Sequence, residues 1–325
     1  MKTVQFSRFG GPEVLEVVDV PVPSAGAGEV LVRIAAAGIN FFEVLMRADR
    51  YAVTPRLPMF PGVEAAGVVE AVGEGVDQLL LGRRVAAPLF ASGRPFGGYA
   101  EYVAIDAGLA VPLPDALSFE DACALMVQGL TALHLLRQSP VADKQVLIPA
   151  AAGGVGSLLL QLAKAQGARR VIALAGGEAK LDLVRSLGAD VAIDHRADNW
   201  VAEVRDATES GVDTIFDTVG GAMTKEFLDL LSQGGELVFA ALGRFQLSAA
   251  DLEAMIGRNQ SLRGFALLPL MSPEELRASL RQLFDLAAGG RLRVAIGGRI
   301  PLDRASAAHR LIEERCSTGK VLLIP

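Results

Sequence analysis

The sequence is poor in the residues that build metal centres and disulfide frameworks. Among its 325 residues are only two cysteines, Cys123 and Cys316, and three histidines, His134, His195 and His309. The cysteines lie far apart without metal or disulfide spacing, so we expect two free thiols. A structural zinc site needs four ligands and a catalytic one about three. We therefore predict no metal site.

Runs of basic residues and unbroken apolar segments of membrane-spanning length are also lacking. The net charge of −6 and the pI near 5.3 argue against nucleic acid or an anionic membrane as the main partner. Residues 146–163 are nearly all apolar, but Pro149 and several glycines prevent one uniform spanning helix. The first residues lack the apolar core of a signal peptide. We predict a cytoplasmic protein that acts on a small molecule.

A short apolar strand, a turn of small residues and an apolar helix follow one another at residues 146–164. The turn fits the G-x-G-x-x-G dinucleotide fingerprint, with Ala at its first place. The second glycine would let the backbone approach a pyrophosphate, and the third would let the helix pack on its strand. A plain turn is the alternative for this motif alone. The residues expected at the phosphates are Ala151, Gly153, Gly154, Val155 and Gly156.

The alternation of strand and helix continues through the middle of the chain. Further strands are predicted at residues 171–174, 191–193, 213–217, 236–240 and 262–268. Helices are predicted between them at residues 178–187, 197–208 and 222–231. Six strands joined by helices imply an α/β fold with a Rossmann-type, doubly wound parallel sheet.

The end of the second strand indicates which dinucleotide binds. An NAD-specific site usually has Asp or Glu about 20 residues past the glycine turn, where the carboxylate binds the ribose hydroxyls. Here the chain reads Leu174-Ala175-Gly176-Gly177, with no acid before Glu178. Lys180, His195 and Arg196 are the nearby cations for a 2′-phosphate, with a solvated face or a loop as the alternative. We therefore predict NADPH.

The residues before and after this domain predict a second one. Residues 1 to about 120 alternate in period two and contain many glycines and prolines, which is typical of short antiparallel strands. Elements are predicted at residues 14–20, 29–35, 64–72, 84–87 and 97–103 (strands), 40–47 (helix), and, after residue 263, 273–288 (helix), 293–300 (strand), 302–314 (helix) and 320–324 (strand). The nucleotide domain, 122–263, is thus an insertion into a β-rich domain of residues 1–121 and 264–325. We expect the active cleft between them.

Six motifs in this order resemble the medium-chain dehydrogenase/reductase superfamily, and within it the zinc-independent, zeta-crystallin-like quinone oxidoreductase branch. They lie at residues 36–41, 61–69, 128–132, 150–156, 217–221 and 319–322. The resemblance implies a GroES-like β-rich domain. Zinc members hold their metal with a Cys and the His of a Gly-His-Glu motif, and these positions correspond here to Asn40 and Val63. The resemblance therefore implies hydride transfer from NADPH, without zinc, to a quinone or a small α,β-unsaturated carbonyl compound.

The resemblance also assigns roles to single residues. Asn40 is expected at the nicotinamide ribose or the substrate carbonyl, with a helix cap as the alternative. Tyr51 is expected near the cleft mouth and Thr131 beside the nicotinamide, whereas a second cleft tyrosine of the relatives is Leu45 here. For Lys320 the alternative is a solvated lysine. The remaining residues expected at the cofactor are Gly176, Lys180, His195, Val219, Ala241, Leu242, Phe265, Leu267 and Lys320.

Two other functions stay open from the sequence. One is a reductase of enoyl thioesters, for which no basic patch near the cleft indicates an acyl-carrier or CoA groove. The other is a cofactor-binding protein with a structural or regulatory task, as crystallin relatives have. Relatives pair the edge strand of the nucleotide sheet, so the resemblance implies a homodimer through residues 262–268.

Overall fold

The structure is a computed structural model that describes residues 1–325 and consists of two compact units. Unit 1 contains residues Met1–Leu130 and Leu268–Pro325, and unit 2 contains Thr131–Leu267. The boundaries predicted from the sequence lie at residues 121 and 263, nine and four residues before these.

The strands and helices occur in the following order. The strands are β1 Lys2–Gln5, β2 Glu16–Asp19, β3 Glu29–Ile39, β4 Ala65–Val72, β5 Arg84–Ala87, β6 Tyr102–Asp106, β7 Val111–Pro112, β8 Gln145–Ile148, β9 Arg170–Ala175, β10 Val191–Asp194, β11 Val212–Asp217, β12 Leu231–Phe239, β13 Ser261–Gly264, β14 Ile296–Pro301 and β15 Lys320–Ile324. The helices are α1 Phe41–Arg47, α2 Phe119–Ala124, α3 Leu130–Gln138, α4 Gly154–Ala165, α5 Glu178–Ser186, α6 Trp200–Asp206, α7 Met223–Leu230, α8 Ala249–Gly257, α9 Pro273–Ala288 and α10 Ala305–Glu313. A π-helical segment, Leu125–Gly129, joins α2 to α3. No helix combines the length and the apolar character that a bilayer crossing requires.

Unit 2 is built on a six-stranded sheet in the order β10-β9-β8-β11-β12-β13. Every pair of neighbouring strands in it is parallel. The inner strands carry fully buried apolar residues such as Leu147, Ile172 and Leu237, as parallel strands covered on both faces require. Helix residues Trp200 and Phe227 pack in the same core. The predicted doubly wound sheet is confirmed.

Unit 1 contains a seven-stranded sheet in the order β14-β15-β3-β4-β5-β7, with β6 also pairing with β3. Strand β15 lies between β14, to which it is parallel, and β3, to which it is antiparallel. The last strand of the chain is therefore an inner strand of the N-terminal sheet. The predicted β-rich domain that the C-terminal residues rejoin is confirmed.

The edge strand β13 is shorter than the sequence indicated. The prediction extended it from residue 262 to 268, but it ends at Gly264. Phe265 still donates its backbone N–H to the Phe239 oxygen at 2.9 Å, after which the chain leaves the sheet. Leu268–Leu270 then forms a 3₁₀ turn around Pro269, a residue that has no N–H for a ladder.

Other elements also differ from the prediction. The strand expected at residues 97–103 is β6, which begins only at Tyr102, because Gly97 has a φ of +104° and turns the chain. Helix α8 was not predicted at all. Its start was nevertheless encoded, because Ser248 and Asp251 form a capping box in which the Ser248 hydroxyl accepts from the Asp251 N–H at 3.2 Å.

Candidate functional site

In the turn between β8 and α4 the backbone segments lie so close together that a side chain would not fit between them. Ala150 adopts a positive φ of +47°, and the Gly153 N–H donates to its carbonyl oxygen at 2.8 Å. A Cβ atom on Gly156 would lie 2.5 Å from that same oxygen, so only glycine lets α4 begin so near the strand. Gly153 is the N-cap of α4 and provides no side-chain cap. The first N–H groups of α4 therefore remain available to an anionic ligand.

The other predicted cofactor residues of unit 2 follow the carboxyl ends of the parallel strands. Such ends share one edge of a sheet, where ligands bind α/β proteins at the switch in strand order. Here the order switches between β8 and β11. The segments after β8, β9, β10, β11, β12 and β13 carry, in turn, residues 151–156, Gly176, His195, Val219, Ala241 with Leu242, and Phe265 with Leu267. The structure thus brings these residues to one edge.

Gly176, His195 and Arg196 form the corner predicted for a 2′-phosphate. Gly176 follows β9, and a Cβ atom there would lie 3.2 Å from His195 Nε2 and 3.3 Å from Arg196 Cδ. Lys180 is partly exposed in the first turn of α5. Arg196 does not stand alone, since its guanidinium bonds both carboxylate oxygens of Asp194.

Asp217 holds the loop that carries Val219. This fully buried aspartate accepts from the N–H groups of Val219, at 2.9 Å, and Gly220, at 2.7 Å, and from the Thr224 hydroxyl at 2.6 Å. Arg244 donates to the Val219 carbonyl oxygen at 2.6 Å. The loop after β11 is therefore fixed by hydrogen bonds at the edge that carries the predicted cofactor residues.

The predicted nicotinamide side has both buried and exposed members. Ala241 is buried, whereas Leu242 is 55% exposed. Phe265 and Leu267 are partly buried beyond the end of β13. The four residues predicted for the nicotinamide side are thus all apolar.

Within unit 1, Asn40 lies in a buried polar network with Glu64 and Lys320. The Lys320 ammonium donates to Asn40 Oδ1 at 2.9 Å and also contacts Glu64 Oε1. The Asn40 amide nitrogen donates to the same Glu64 oxygen at 2.9 Å. Lys320 and Glu64 are both fully buried, so the alternative of a solvated Lys320 is wrong. The other Glu64 oxygen accepts from the backbone N–H of Val127, in the π-helical segment, at 2.7 Å.

A second buried carboxylate, Glu43, joins this network through Asn40. Asn40 is the N-cap residue of α1, and its backbone N–H donates to Glu43 Oε2 at 2.9 Å. Its amide nitrogen lies 3.3 Å from the same oxygen, and the Gly62 N–H donates to Glu43 Oε1 at 2.9 Å. Burial raises the pKa of Glu43 to about 7, and the nearby Glu64 charge acts in the same direction. Asn40 is therefore the N-cap residue of α1, which was the alternative role for it.

Beyond Glu43 lie Tyr99 and His309. The Tyr99 hydroxyl is 3.3 Å from His309 Nε2, with the two rings edge to face. Burial raises the pKa of Tyr99 well above its usual value and lowers that of His309 to about 3, the latter with help from the Arg47 charge. His309 is therefore neutral at physiological pH. Arg47, itself buried, is paired with Glu313 at 2.7 Å.

The remaining predicted catalytic residues are Tyr51 and Thr131. Tyr51 is half-buried, and its ring centre lies 5.5 Å from that of Phe42. Burial raises its pKa, so its hydroxyl stays protonated at neutral pH. Thr131 is partly buried in the first turn of α3, at the start of unit 2.

Several residues of these sites did not stand out in the sequence. Glu43 has a signal, because it is the third helical residue after the N-cap Asn40, as in a capping box. Asp217 has one as well, because it ends β11 and is the first residue of the motif at residues 217–221. Asp194 ends β10 and accepts from the Gly177 N–H at 3.0 Å, a contact between a strand end and the turn before α5 that no sequence pattern indicates.

The donor set around Asn40 does not suit a metal ion. An ammonium already fills the coordination space of Glu64, and the neighbouring Val63 has no donor atom. No group of three or more His, Cys, Asp or Glu residues in the structure could hold a metal ion.

The chain is similar to known proteins over its whole length. Residues 26–115 match the family described as alcohol dehydrogenase GroES-like domain, and residues 154–285 match the family described as zinc-binding dehydrogenase. A quinone oxidoreductase of Pseudomonas aeruginosa is 35% identical over 332 residues, which cover 100% of this chain and 99% of that protein. Quinone oxidoreductase 1 of Escherichia coli is 34% identical over 333 residues and 99% of each chain.

Solved structures agree with these relatives. The Escherichia coli quinone oxidoreductase complexed with NADPH matches with a TM-score of 0.91, 33% identity and 100% coverage of both chains. The quinone oxidoreductase of Thermus thermophilus, solved alone and with NADPH, matches with a TM-score of 0.84 and 35% identity over 100% of both chains.

Proposed function

The chain belongs to the medium-chain dehydrogenase/reductase superfamily, in its quinone oxidoreductase branch, and we propose that it is an NADPH-dependent reductase of quinones or small α,β-unsaturated carbonyl compounds. The resemblance inferred from six sequence motifs is thus confirmed. The observation that carries the proposal is the β8–α4 turn, where glycines bring the uncapped start of a helix to the carboxyl edge of a parallel sheet. Such a turn suits a dinucleotide pyrophosphate.

The residues of unit 2 fit NADPH, which when bound supplies a hydride. Gly153 leaves room for the pyrophosphate at the start of α4, and Gly156 lets that helix begin close to β8. No carboxylate follows β9 directly, and Lys180 and His195, in the segments after β9 and β10, support a 2′-phosphate at this corner. The structures of two quinone oxidoreductases with NADPH support the same choice of cofactor.

The acceptor class follows from what unit 1 offers. The buried Glu64 is bonded to Lys320 and Asn40, and Val63 has no polar atom, so these residues provide no open Lewis-acid site. The alkoxide of a simple alcohol would therefore be poorly stabilised. A quinone or an enone instead delocalises the negative charge onto an oxygen that needs only hydrogen-bond donors.

The hydrogen bonds of Asn40 favour one of its two expected roles. Both protons of its amide group already point to carboxylates, those of Glu43 and Glu64, whereas Oδ1 accepts only from Lys320 and keeps a second lone pair. A substrate carbonyl needs a donor, but a ribose hydroxyl can donate. We therefore assign Asn40 to the nicotinamide ribose.

Tyr51 and Thr131 complete the proposed catalytic set. The raised pKa of Tyr51 keeps its hydroxyl a donor, which suits the oxygen of the reduced acceptor. The Thr131 hydroxyl is assigned to the nicotinamide side, where it would orient the ring. Holding the two reactants in register is the main contribution that these side chains can make.

A homodimer is part of the same proposal. Strand β13 pairs with β12 on one side only and is the edge of the unit 2 sheet. Its unpaired backbone groups are suited to continue the sheet into a second copy of the chain.

Three acceptors distinguish this function from its alternatives. We expect turnover of 1,2-naphthoquinone and of a small enone with NADPH, and little turnover of crotonyl-CoA. Reduction of crotonyl-CoA alone would indicate an enoyl-thioester reductase. Failure to reduce any of the three, with NADPH still bound, would indicate a non-catalytic role.

A further inference from the structure

A carboxylate reaches the ribose corner of unit 2 from an unexpected strand. Asp194 is the last residue of β10, and its Oδ2 accepts from the Gly177 N–H at 3.0 Å. Gly177 lies between β9 and α5, in the turn where NAD-specific sites carry their acid. The corner therefore contains a carboxylate although the chain has none directly after β9.

This carboxylate is engaged by Arg196. The Nε atom of Arg196 lies 3.0 Å from Asp194 Oδ1, and its Nη2 lies 2.7 Å from Oδ2. The Arg196 backbone N–H also donates to Oδ1 at 3.0 Å. Hydrogen bonds from Arg196 hold the pKa of Asp194 well below its usual range, so the pair is ionised at neutral pH.

The position of Arg196 makes this pairing relevant to the cofactor. A Cβ atom on Gly177 would lie 2.9 Å from Arg196 Nη2, so the guanidinium covers the turn at that corner. The Arg196 side chain is 61% exposed and could otherwise turn its planar fork to a 2′-phosphate. The bidentate bond to Asp194 opposes that movement.

We propose that Asp194 is a specificity-determining residue for the dinucleotide, because it withholds the Arg196 guanidinium from the 2′-phosphate and so limits the preference for NADPH over NADH. The inference rests on the proposed cofactor. Lys180 and His195 then provide the underlying preference for NADPH, and Asp194 limits the size of that preference. NADH, which has no 2′-phosphate, gains nothing from Arg196 in either state.

The test is the substitution D194N, which keeps the size of the side chain and removes its charge. Fluorescence titrations with NADPH and with NADH, without acceptor, give the two dissociation constants. We expect NADPH to bind about tenfold more tightly, the change expected for one charge-assisted contact, and NADH to change less than twofold. The matched control is D229N, which removes an exposed carboxylate that is also paired with an arginine, Arg258, and should leave both constants unchanged.

The double variant D194N/R196Q tests whether the gain runs through the guanidinium. We expect its ratio of NADH to NADPH dissociation constants to return to within threefold of the wild-type ratio. A D194N ratio within twofold of wild type, or a gain that survives R196Q, would overturn the proposal. Because no acceptor is present, an enzyme that binds NADPH but reduces no quinone would contradict the proposed function without altering these ratios.

Discussion

The Lys320 ammonium donates a hydrogen bond to Asn40 Oδ1 at 2.9 Å, across 280 positions of the chain. The same ammonium neutralises the buried Glu64 carboxylate, so these three side chains form one unit in electrostatic terms. Removing one member of a buried ion pair leaves its partner uncompensated. The network is therefore a point where a single substitution should have a large effect.

The substitution K320M should destabilise the protein by about 3–5 kcal/mol, because it leaves the Glu64 charge buried without a partner. Urea unfolding followed by circular dichroism measures the loss. In K320M/E64Q much of it should be recovered. The control K225M removes a lysine that is 69% exposed and paired at 3.4 Å, and should change stability by less than about 0.5 kcal/mol. Equal losses of stability in K320M and K225M would contradict this prediction.

The substitution E43Q should change how stability depends on pH. The folded-state pKa of Glu43 is raised to about 7, so its proton stabilises the folded state below pH 4.5, and this contribution is lost as pH rises to about 7. The stability of E43Q minus that of wild type should therefore increase by about 3 kcal/mol over that range. Unfolding measured at four pH values gives this difference. A difference that is constant with pH would show that Glu43 titrates normally.

The substitution G156A should impair the cofactor turn. Its Cβ atom would lie 2.5 Å from the Ala150 oxygen, so α4 must move away from β8. We expect NADPH binding to weaken at least about tenfold and stability to fall by about 1–3 kcal/mol, as for other overpacked sites. The control is G257A, where an added Cβ meets nothing within 4 Å. NADPH titration and thermal unfolding of both variants test the prediction.

The substitution K180E should weaken NADPH far more than NADH, because it places a negative charge beside the 2′-phosphate. We expect a loss of about 100-fold for NADPH and less than about threefold for NADH, since two unit charges change at a partly exposed position. Steady-state kinetics with both cofactors and one quinone provide the comparison. Equal losses would mean that Lys180 does not face the 2′-phosphate.

Light scattering at micromolar concentration should give a mass near twice the 34.1 kDa of the chain. The substitution S261K, on the exposed edge of β13, should shift the protein towards monomer, because a charged lysine on an edge strand opposes pairing with another strand. Ser7, exposed in unit 1, provides the control S7K. A monomeric wild type would refute the dimer.

The local patterns of the sequence were sufficient for most of the fold. Strand β8 and helix α4 were predicted from their apolar residues, and the turn between them from its glycines. Each of these signals lies within the segment that it predicts. Helix α8 was not predicted, although Ser248 and Asp251 have the spacing of a capping box in the sequence. The end of β13 was misjudged because apolar residues continue to Leu268 after the ladder has stopped.

The contacts of the site were less accessible from the sequence. The cofactor-turn residues are close in sequence, so their pattern could be read directly. Asn40, which contacts Lys320, and Gly177, which contacts Asp194, come from other segments of the chain, and a lysine or aspartate alone does not reveal them. Such pairings depend on strand order and register, which residue patterns determine only in part.

The position of β15 between β3 and β14 has a consequence for biosynthesis. During translation the ribosome releases all of unit 2 before it reaches residue 320, so the nascent N-terminal sheet has an uncovered flank at β3 for most of that time. Unit 2, whose residues are contiguous, can reach its native state first. Folding of unit 1 then depends on a late step, in which β15 pairs with β3 and brings the Lys320 ammonium to the Glu64 carboxylate.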